Sequence, residues 1–259
     1  MERVSKAQVK LVRSLQQKKF RDELGLFIAE GDKCVNELRK AFELVYYIES
    51  SDRCADSAQP DTLLASPTEI EQMSGLRAPQ GVIGVFRKSH QPSEFSLQPS
   101  DVVLALDGVQ DPGNLGTIIR TCDWFGVHDI VCSRDTADCY NPKVVQATMG
   151  ALARVRVHYV DLPTKLSEFS RQYSDLRIFG TLLEGDNMYE VLKQSAGSDL
   201  HQPSAVIVMG NEGNGISQAV RERITHPIRI PSYPADAETS ESLNVSIATA
   251  IVLAEFRRP

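Results

Sequence analysis

From about residue 102 to its end, the chain alternates short apolar runs with helical stretches. The runs cover residues 102–106, 130–132, 155–159, 178–183, 205–209 and 227–230. A strand with one wet face shows every second residue polar, whereas a strand covered on both faces is apolar throughout. Most of these runs are near-continuously apolar and so of the second kind. Buried strands separated by helices predict an α/β domain whose mostly parallel sheet is covered on both sides. Leu243, Ile247, Ala250, Ile251 and Ala254 keep helical spacing, so the segment closes on a helix with a buried face. No internal repeat and no low-complexity stretch competes with this reading.

The first third of the chain has a different rhythm. Val9, Val12 and Leu15 fall at near-helical spacing. A strand at 26–29, a helix at 32–40 and strands at 44–48 and 81–86 follow, with Gly25 and Gly31 bracketing the first strand. Residues 88–101 are polar, contain Pro92 and Pro99, and keep no period, which is linker composition. The boundary is therefore placed near residue 97, giving domains 1–97 and 98–259. A length of 259 residues suits two domains.

Charge is segregated along this plan. The total is −6, yet residues 1–21 carry seven basic side chains against Glu2 alone, a local +6. The rest of the chain carries 21 basic and 33 acidic groups, or −12. A segregated chain can hold a polyanion at one end whatever its average. A solvated amphipathic helix accounts for the same charges equally well. No apolar run approaches the roughly 20 residues that span a bilayer, and the amino terminus has no apolar leader. The five cysteines are odd in number and lack CxxC spacing. These features point to a cytoplasmic chain with free thiols, no membrane association and no metal.

In a parallel α/β sheet, ligands bind beyond the carboxyl ends of the strands. Three segments occupy such positions. In Leu106-Asp107-Gly108-Val109-Gln110-Asp111-Pro112-Gly113-Asn114-Leu115-Gly116-Thr117-Ile118-Ile119-Arg120, a strand gives way to a turn and then to a helix beginning near Asn114. Asn114 and Arg120 lie about 120° apart around an ideal helix, so they converge only if Asn114 sits in the turn. In Met209-Gly210-Asn211-Glu212-Gly213-Asn214-Gly215, a glycine-rich loop follows a buried strand and lets backbone approach a ligand. It is neither a phosphate-binding P-loop nor a dinucleotide fingerprint. In Ser242-Leu243-Asn244-Val245-Ser246, polar residues sit at the mouth of the last helix. Each segment taken alone has a plain structural use, with Asn114, Ser242 and Asn244 as helix caps and the glycines as a tight turn.

Together, the three ordered motifs Asn114-Leu115-Gly116-x-x-x-Arg120, Gly210-Asn211-Glu212-Gly213-x-Gly215 and Ser242-Leu243-Asn244-Val245-Ser246 resemble the SpoU (TrmH-like) branch of the SPOUT RNA methyltransferases, over residues 101–258. Residues 20–31, Phe20-Arg21-Asp22-Glu23-Leu24-Gly25-Leu26-Phe27-Ile28-Ala29-Glu30-Gly31, are similar to the amino-terminal substrate-binding domain of the L30e/L7Ae type that many of these enzymes carry.

The resemblance implies transfer of a methyl group from S-adenosylmethionine to a ribose 2′-hydroxyl of RNA, on a sheet that ends in a deep trefoil knot. It assigns catalysis to Asn114, Arg120, Glu212, Ser242 and Asn244. It assigns cofactor binding to Leu182 and Leu183 at a strand end, and to Gly210, Ile230, Leu243 and Asn244. Lys6, Lys10, Arg13, Lys18, Lys19 and Arg21 fall on the RNA-binding arm. The ribosomal character of that arm favours large-subunit ribosomal RNA over transfer RNA, and family precedent implies a homodimer. One departure is a long acidic stretch, residues 232–241, between Ile230 and Ser242. The same scaffold without catalysis, an RNA-binding ribosome-assembly factor, is the competing class. A nucleotide-binding metabolic enzyme lacks its fingerprint.

Overall fold

A computed structural model describes residues 2–53, 62–89, 97, 102–195, 204–234 and 242–258. Chain contacts group these into two compact units. The first comprises Met1–His90 with Asp138–Arg154, and the second comprises Gln91–Ala137 with Val155–Pro259. Leu97, at the expected boundary, packs in the core of the second unit, where its carbonyl accepts a 2.8 Å hydrogen bond from the Tyr173 hydroxyl.

The first unit holds a mixed sheet of β1 (Glu2–Arg3), β2 (Leu26–Glu30), β3 (Leu44–Ser50), β4 (Thr62–Ala65) and β5 (Val82–Arg87), in the order β1-β4-β3-β5-β2. Helices α1 (Lys6–Ser14), α2 (Lys18–Leu24), α3 (Asp32–Leu38) and α4 (Pro67–Met73) accompany it. The basic residues of α1 fall between Val9, Val12 and Leu15, and the latter two are fully buried with Ile28, Ile70 and Ile83. Ser5 starts α1 through a capping box with Gln8, and Ser66 starts α4 through another with Glu69. Later in the chain, α6 (Pro142–Thr148) and a 3-10 turn at Ala151–Ala153 belong to this unit as well. The Tyr140 and Phe27 rings pack within it at 4.8 Å, tilted by 41°.

The second unit is the α/β layer structure. Strands β6 (Val102–Leu106), β7 (Asp129–Ser133), β8 (Arg156–Val160), β9 (Arg177–Asn187), β10 (Ala205–Met209) and β11 (His226–Arg229) pair in the order β11-β9-β10-β6-β7-β8. Every described pairing in this sheet is parallel. Strands β6, β7 and β10 are buried at every position, as continuous apolar composition requires. Helices α5 (Pro112–Trp124), α7 (Leu162–Gln172), α8 (Met188–Ser195), α9 (Gln218–Arg221) and α10 (Val245–Phe256) connect or follow the strands. The chain runs outward from β6 through β7 and β8, then returns to build β9, β10 and β11 on the other side. The reversal lies between β6 and β10, the position where open parallel sheets place ligands. No helix among the described residues is long and apolar enough to cross a membrane.

Strand β9 differs from expectation. Its pairing with β10 ends at Gly180 while the strand continues to Asn187, so Leu182 and Leu183 lie within the strand rather than at its end. Its partner β11 steps from Gly180 to Asp186 between Pro227 and Ile228. At that step a Cβ on Gly185 would stand 2.5 Å from the Ile228 backbone, so no side chain fits there.

Candidate active site at the sheet reversal

Three side chains, from the first turn of α5, the loop after β10 and the cap of α10, meet beyond the carboxyl ends of β6 and β10. The Asn244 side-chain amide donates a 3.0 Å hydrogen bond to Asn114 Oδ1. The Asn114 amide in turn donates to Glu212 Oε1 at 2.5 Å. Both ends of the Asn114 amide are therefore engaged, and its orientation is set by an acceptor on one side and a donor on the other.

Local chemistry holds each member. The cap of α5 is Asp111, whose carboxylate accepts from the Asn114 backbone N–H at 2.8 Å. The expected capping use of Asn114 thus passes to Asp111, and Asn114 stands inside the first turn with its amide free to reach across. Asn244 does cap α10: its Oδ1 accepts from the Ser246 and Ile247 backbone N–H groups while its amide faces Asn114. Glu212 rides on a closed loop. Asn211 and Gly215 exchange backbone hydrogen bonds at 3.0 and 2.9 Å, and Asn211 Oδ1 accepts from the Gly213 and Asn214 N–H groups. A Cβ on Gly210 would stand 2.4 Å from the Gly215 backbone, so this glycine is required by the loop itself. Asn211 also donates to the Gly108 carbonyl at 2.7 Å, and Asp107 accepts from the Ser217 N–H at 2.6 Å. Those two residues bind the glycine-rich loop to the end of β6, and sequence reasoning gave neither a role. Asn211 stood within the quoted motif, which was the available signal.

Arg120 is not part of this chain. It lies on α5 with Asn114, six residues on, and helical geometry turns it away from the cluster. Its side chain is exposed and has no hydrogen bond or ion pair among the described residues. Ser242 and Leu243 are exposed and immediately precede Asn244, and Ile230 is half-buried just past β11. Leu183 is 76% exposed and Leu243 48%, large apolar surfaces left in water near the ligand edge of the sheet. Of the long acidic stretch, residues 235–241 lie outside the described residues.

The basic arm of the first unit divides. Lys6, Lys10, Arg13 and Lys19 are exposed. Lys18 is exposed as well but pairs with Asp22 at 2.6 Å. Burial raises the Asp22 carboxyl, but bonds to Lys18 and Lys88 outweigh it and hold the pKa below the ordinary value. Arg21 corrects the expectation outright. It is 1% exposed, pairs with Asp138 at 2.6 Å, and donates to the carbonyls of Leu15 and Gln16 at 2.9 and 3.0 Å. A guanidinium so enclosed cannot meet RNA.

The described residues hold no cluster of side chains suited to a metal ion. Comparisons with known proteins place the chain among its relatives. Residues 101–254 match the SpoU rRNA Methylase family, and residues 6–84 match the MRM3-like substrate binding domain. The chain is 30% identical to the 23S rRNA (guanosine(2553)-2′-O)-methyltransferase RlmP of Bacillus subtilis, over 99% of this chain and 98% of the relative. A solved TrmH-family structure from Porphyromonas gingivalis superposes with a TM-score of 0.82 at 36% identity, covering 98% of each chain. An AdoMet-bound rRNA methyltransferase from Sinorhizobium meliloti does so with 0.82 at 29%, covering 100% of this chain and 97% of that one.

Proposed function

Because the chain belongs to the SpoU rRNA methylase family, we propose that its Asn244–Asn114–Glu212 cluster serves methyl transfer from S-adenosylmethionine to a ribose 2′-hydroxyl of RNA. Large-subunit ribosomal RNA is the favoured substrate, in keeping with the named activity of the Bacillus subtilis relative. The observation that carries this reading is the convergence of three separated motifs into one hydrogen-bonded chain at the sheet reversal.

The residues present suit the cofactor. Leu183 and Leu243 expose apolar surface, Leu182 and Ile230 are half-buried, and the loop at Gly210 offers backbone at the same strand ends. An adenine face needs this chemistry: apolar contact with a few fixed polar groups. When bound, S-adenosylmethionine supplies an activated methyl on a sulfonium centre. The chain's own task is the nucleophile. A ribose hydroxyl is a weak nucleophile at neutral pH and needs its developing negative charge stabilised. Arg120 brings a guanidinium to stabilise that developing charge and to face the neighbouring phosphate. A carboxylate has room for several hydrogen bonds, so Glu212 accepts from substrate while it holds Asn114. Ser242, exposed beside Asn244, completes the pocket wall.

In one chain Arg120 stands apart from the cluster, which supports a homodimer in which one copy's Arg120 serves the other's Asn114 cluster. Helix α10 supports it too. Its sequence is apolar on every side, yet Ile247 is 54% exposed. The trefoil knot belongs to the same reading and is supported by the family match. Action in the cytoplasm is supported by Cys34 and Cys122, buried cysteines outside any disulfide.

The test combines calorimetry of S-adenosylmethionine binding with tritiated-methyl transfer to unmodified ribosomal and transfer RNA. Transfer to large-subunit RNA is expected, lost when Arg120→Ala and Asn114→Ala are tested separately and partly restored when the two variants are mixed. RNA binding without transfer in the native chain would instead identify the silent assembly factor.

A further inference from the structure

Beyond β7 the chain turns through Ser133-Arg134-Asp135-Thr136, closed by a 3.1 Å hydrogen bond from the Thr136 N–H to the Ser133 carbonyl. Its two buried members tie the turn to the end of β6. Ser133 Oγ accepts from the Gly108 N–H at 2.8 Å and shares a 3.0 Å hydrogen bond with the Thr136 hydroxyl. Just past the turn, the Ala137 N–H donates to the Val109 carbonyl at 2.9 Å. The two central residues, Arg134 and Asp135, are the exposed ones. Arg134 stands near Asp161, whose carboxyl is held below its ordinary value by bonds from Thr164 with Arg134 adding to the effect. Asp135 has no hydrogen bond or ion pair among the described residues. Its carboxylate nonetheless faces the site. A Cβ on Gly108 would stand 3.2 Å from Asp135 Oδ2 and 3.7 Å from Asn211 Cβ. Asp135 and the glycine-rich loop therefore close over the same point at the end of β6, and Glu212 is the residue after Asn211.

A bare carboxylate on an edge that receives a polyanion is repelled by phosphates and needs hydrogen-bond donors to face it. In RNA those donors are ribose hydroxyls and base N–H groups. Guanine alone among the common bases sets two N–H donors side by side on its Watson–Crick edge, matching the two oxygens of one carboxylate. Adenine and cytosine set a donor beside an acceptor, and uracil flanks its single N–H with carbonyls. We propose that Asp135 accepts both Watson–Crick-edge donors of a guanine, and so selects guanosine as the nucleotide whose ribose is presented to the Asn114 cluster. The inference rests on the RNA methyltransferase reading. Bidentate recognition is directional, which a turn pinned by Ser133 and Thr136 can satisfy. Asp135 belongs to neither α5 nor α10, the helices set between copies in the proposed homodimer.

The test first locates the methylated nucleotide in in vitro transcribed large-subunit ribosomal RNA, from its alkali-resistant dinucleotide. The transcript is then remade with adenosine at that position. The native chain should favour guanosine over adenosine in kcat/KM by roughly 5- to 150-fold. Asp135→Asn offers one acceptor and one donor, which suits adenine, and should narrow or reverse that ratio. Its affinity for S-adenosylmethionine and its thermal melting should stay as in the native chain. A methylated nucleotide other than guanosine overturns the proposal and leaves the methyltransferase reading standing. An undiminished guanosine preference in Asp135→Asn does the same, as does an equal loss of transfer to both transcripts, which marks a structural role. A change of oligomeric state in Asp135→Asn on sedimentation places the carboxylate between copies and overturns it too. Absence of methyl transfer by the native chain removes the methyltransferase reading and this proposal with it.

Discussion

Arg21 and Arg120 carry the same guanidinium into the two units and meet opposite environments. In the first unit, Arg21 is enclosed by Asp138 and by the carbonyls of Leu15 and Gln16. It joins α2 to a segment more than a hundred residues later in the chain. In the second unit, Arg120 lies on the wet side of a well-packed helix with no described partner. Desolvating a charge is tolerated only where partners replace water, so Arg21 serves folding. An arginine kept in water retains its capacity to meet a substrate. Motif membership alone does not separate the two; burial and partners do.

This contrast can be broken by substitution. The largest stability effect is expected from Arg21→Ala, which leaves Asp138 without its partner and should cost about 3–5 kcal/mol in urea unfolding. If instead stability holds and RNA affinity falls, Arg21 is a binding residue after all. Arg120→Ala should do the reverse, changing unfolding free energy by no more than about 0.5 kcal/mol while lowering methyl transfer by about 10²–10³-fold. Equal unfolding curves with intact turnover would remove Arg120 from the chemistry.

Asn244 sharpens the comparison, because one amide serves both purposes. Asn244→Ala removes the cap of α10 and should cost about 1 kcal/mol as well as activity. Asn244→Asp keeps the capping oxygen but cannot donate to Asn114. It should therefore retain most of the stability while losing turnover, as measured by thermal melts and single-turnover assays.

The smallest effect concerns acid. At the start of β7, Asp129 is buried, which raises its pKa, but bonds from Arg156 and His158 outweigh burial and hold it below the ordinary 3.8. A carboxyl depressed by folding stabilises above its unfolded pKa, and that contribution is lost as pH falls through the folded value. Stability of the native chain should thus decline more steeply below about pH 4 than that of Asp129→Asn.

The sheet of the second unit was legible because strands covered on both faces must be apolar throughout, and residues 102–106 and 205–209 came out with the observed bounds. The short β1 and β4 left no such mark. Helix α4 was announced by Ser66-Pro67-Thr68-Glu69, a capping box with proline at the first turn, a signal that the apolar pattern alone overlooks. Asp111-Pro112 announced the start of α5 in the same manner. The site was legible only as motifs. Asn114 lies 98 residues from Glu212 and 130 from Asn244, so their contact comes from strand order, which periodicity does not encode. The enclosure of Arg21 is hidden from sequence for the same reason, its partner standing 117 residues away. A basic run shows charge but not which member will be enclosed.

The central claim is that the transferred methyl goes to a ribose oxygen of RNA. It is tested most directly by labelling in vitro transcribed large-subunit ribosomal RNA with tritiated S-adenosylmethionine and hydrolysing the product in alkali. Alkaline cleavage needs a free 2′-hydroxyl, so a 2′-O-methyl group protects its own phosphodiester bond. The account predicts label confined to an alkali-resistant dinucleotide and absent with Arg120→Ala. Label released with ordinary mononucleotides would place the methyl on a base and contradict it, as would no label in RNA at all.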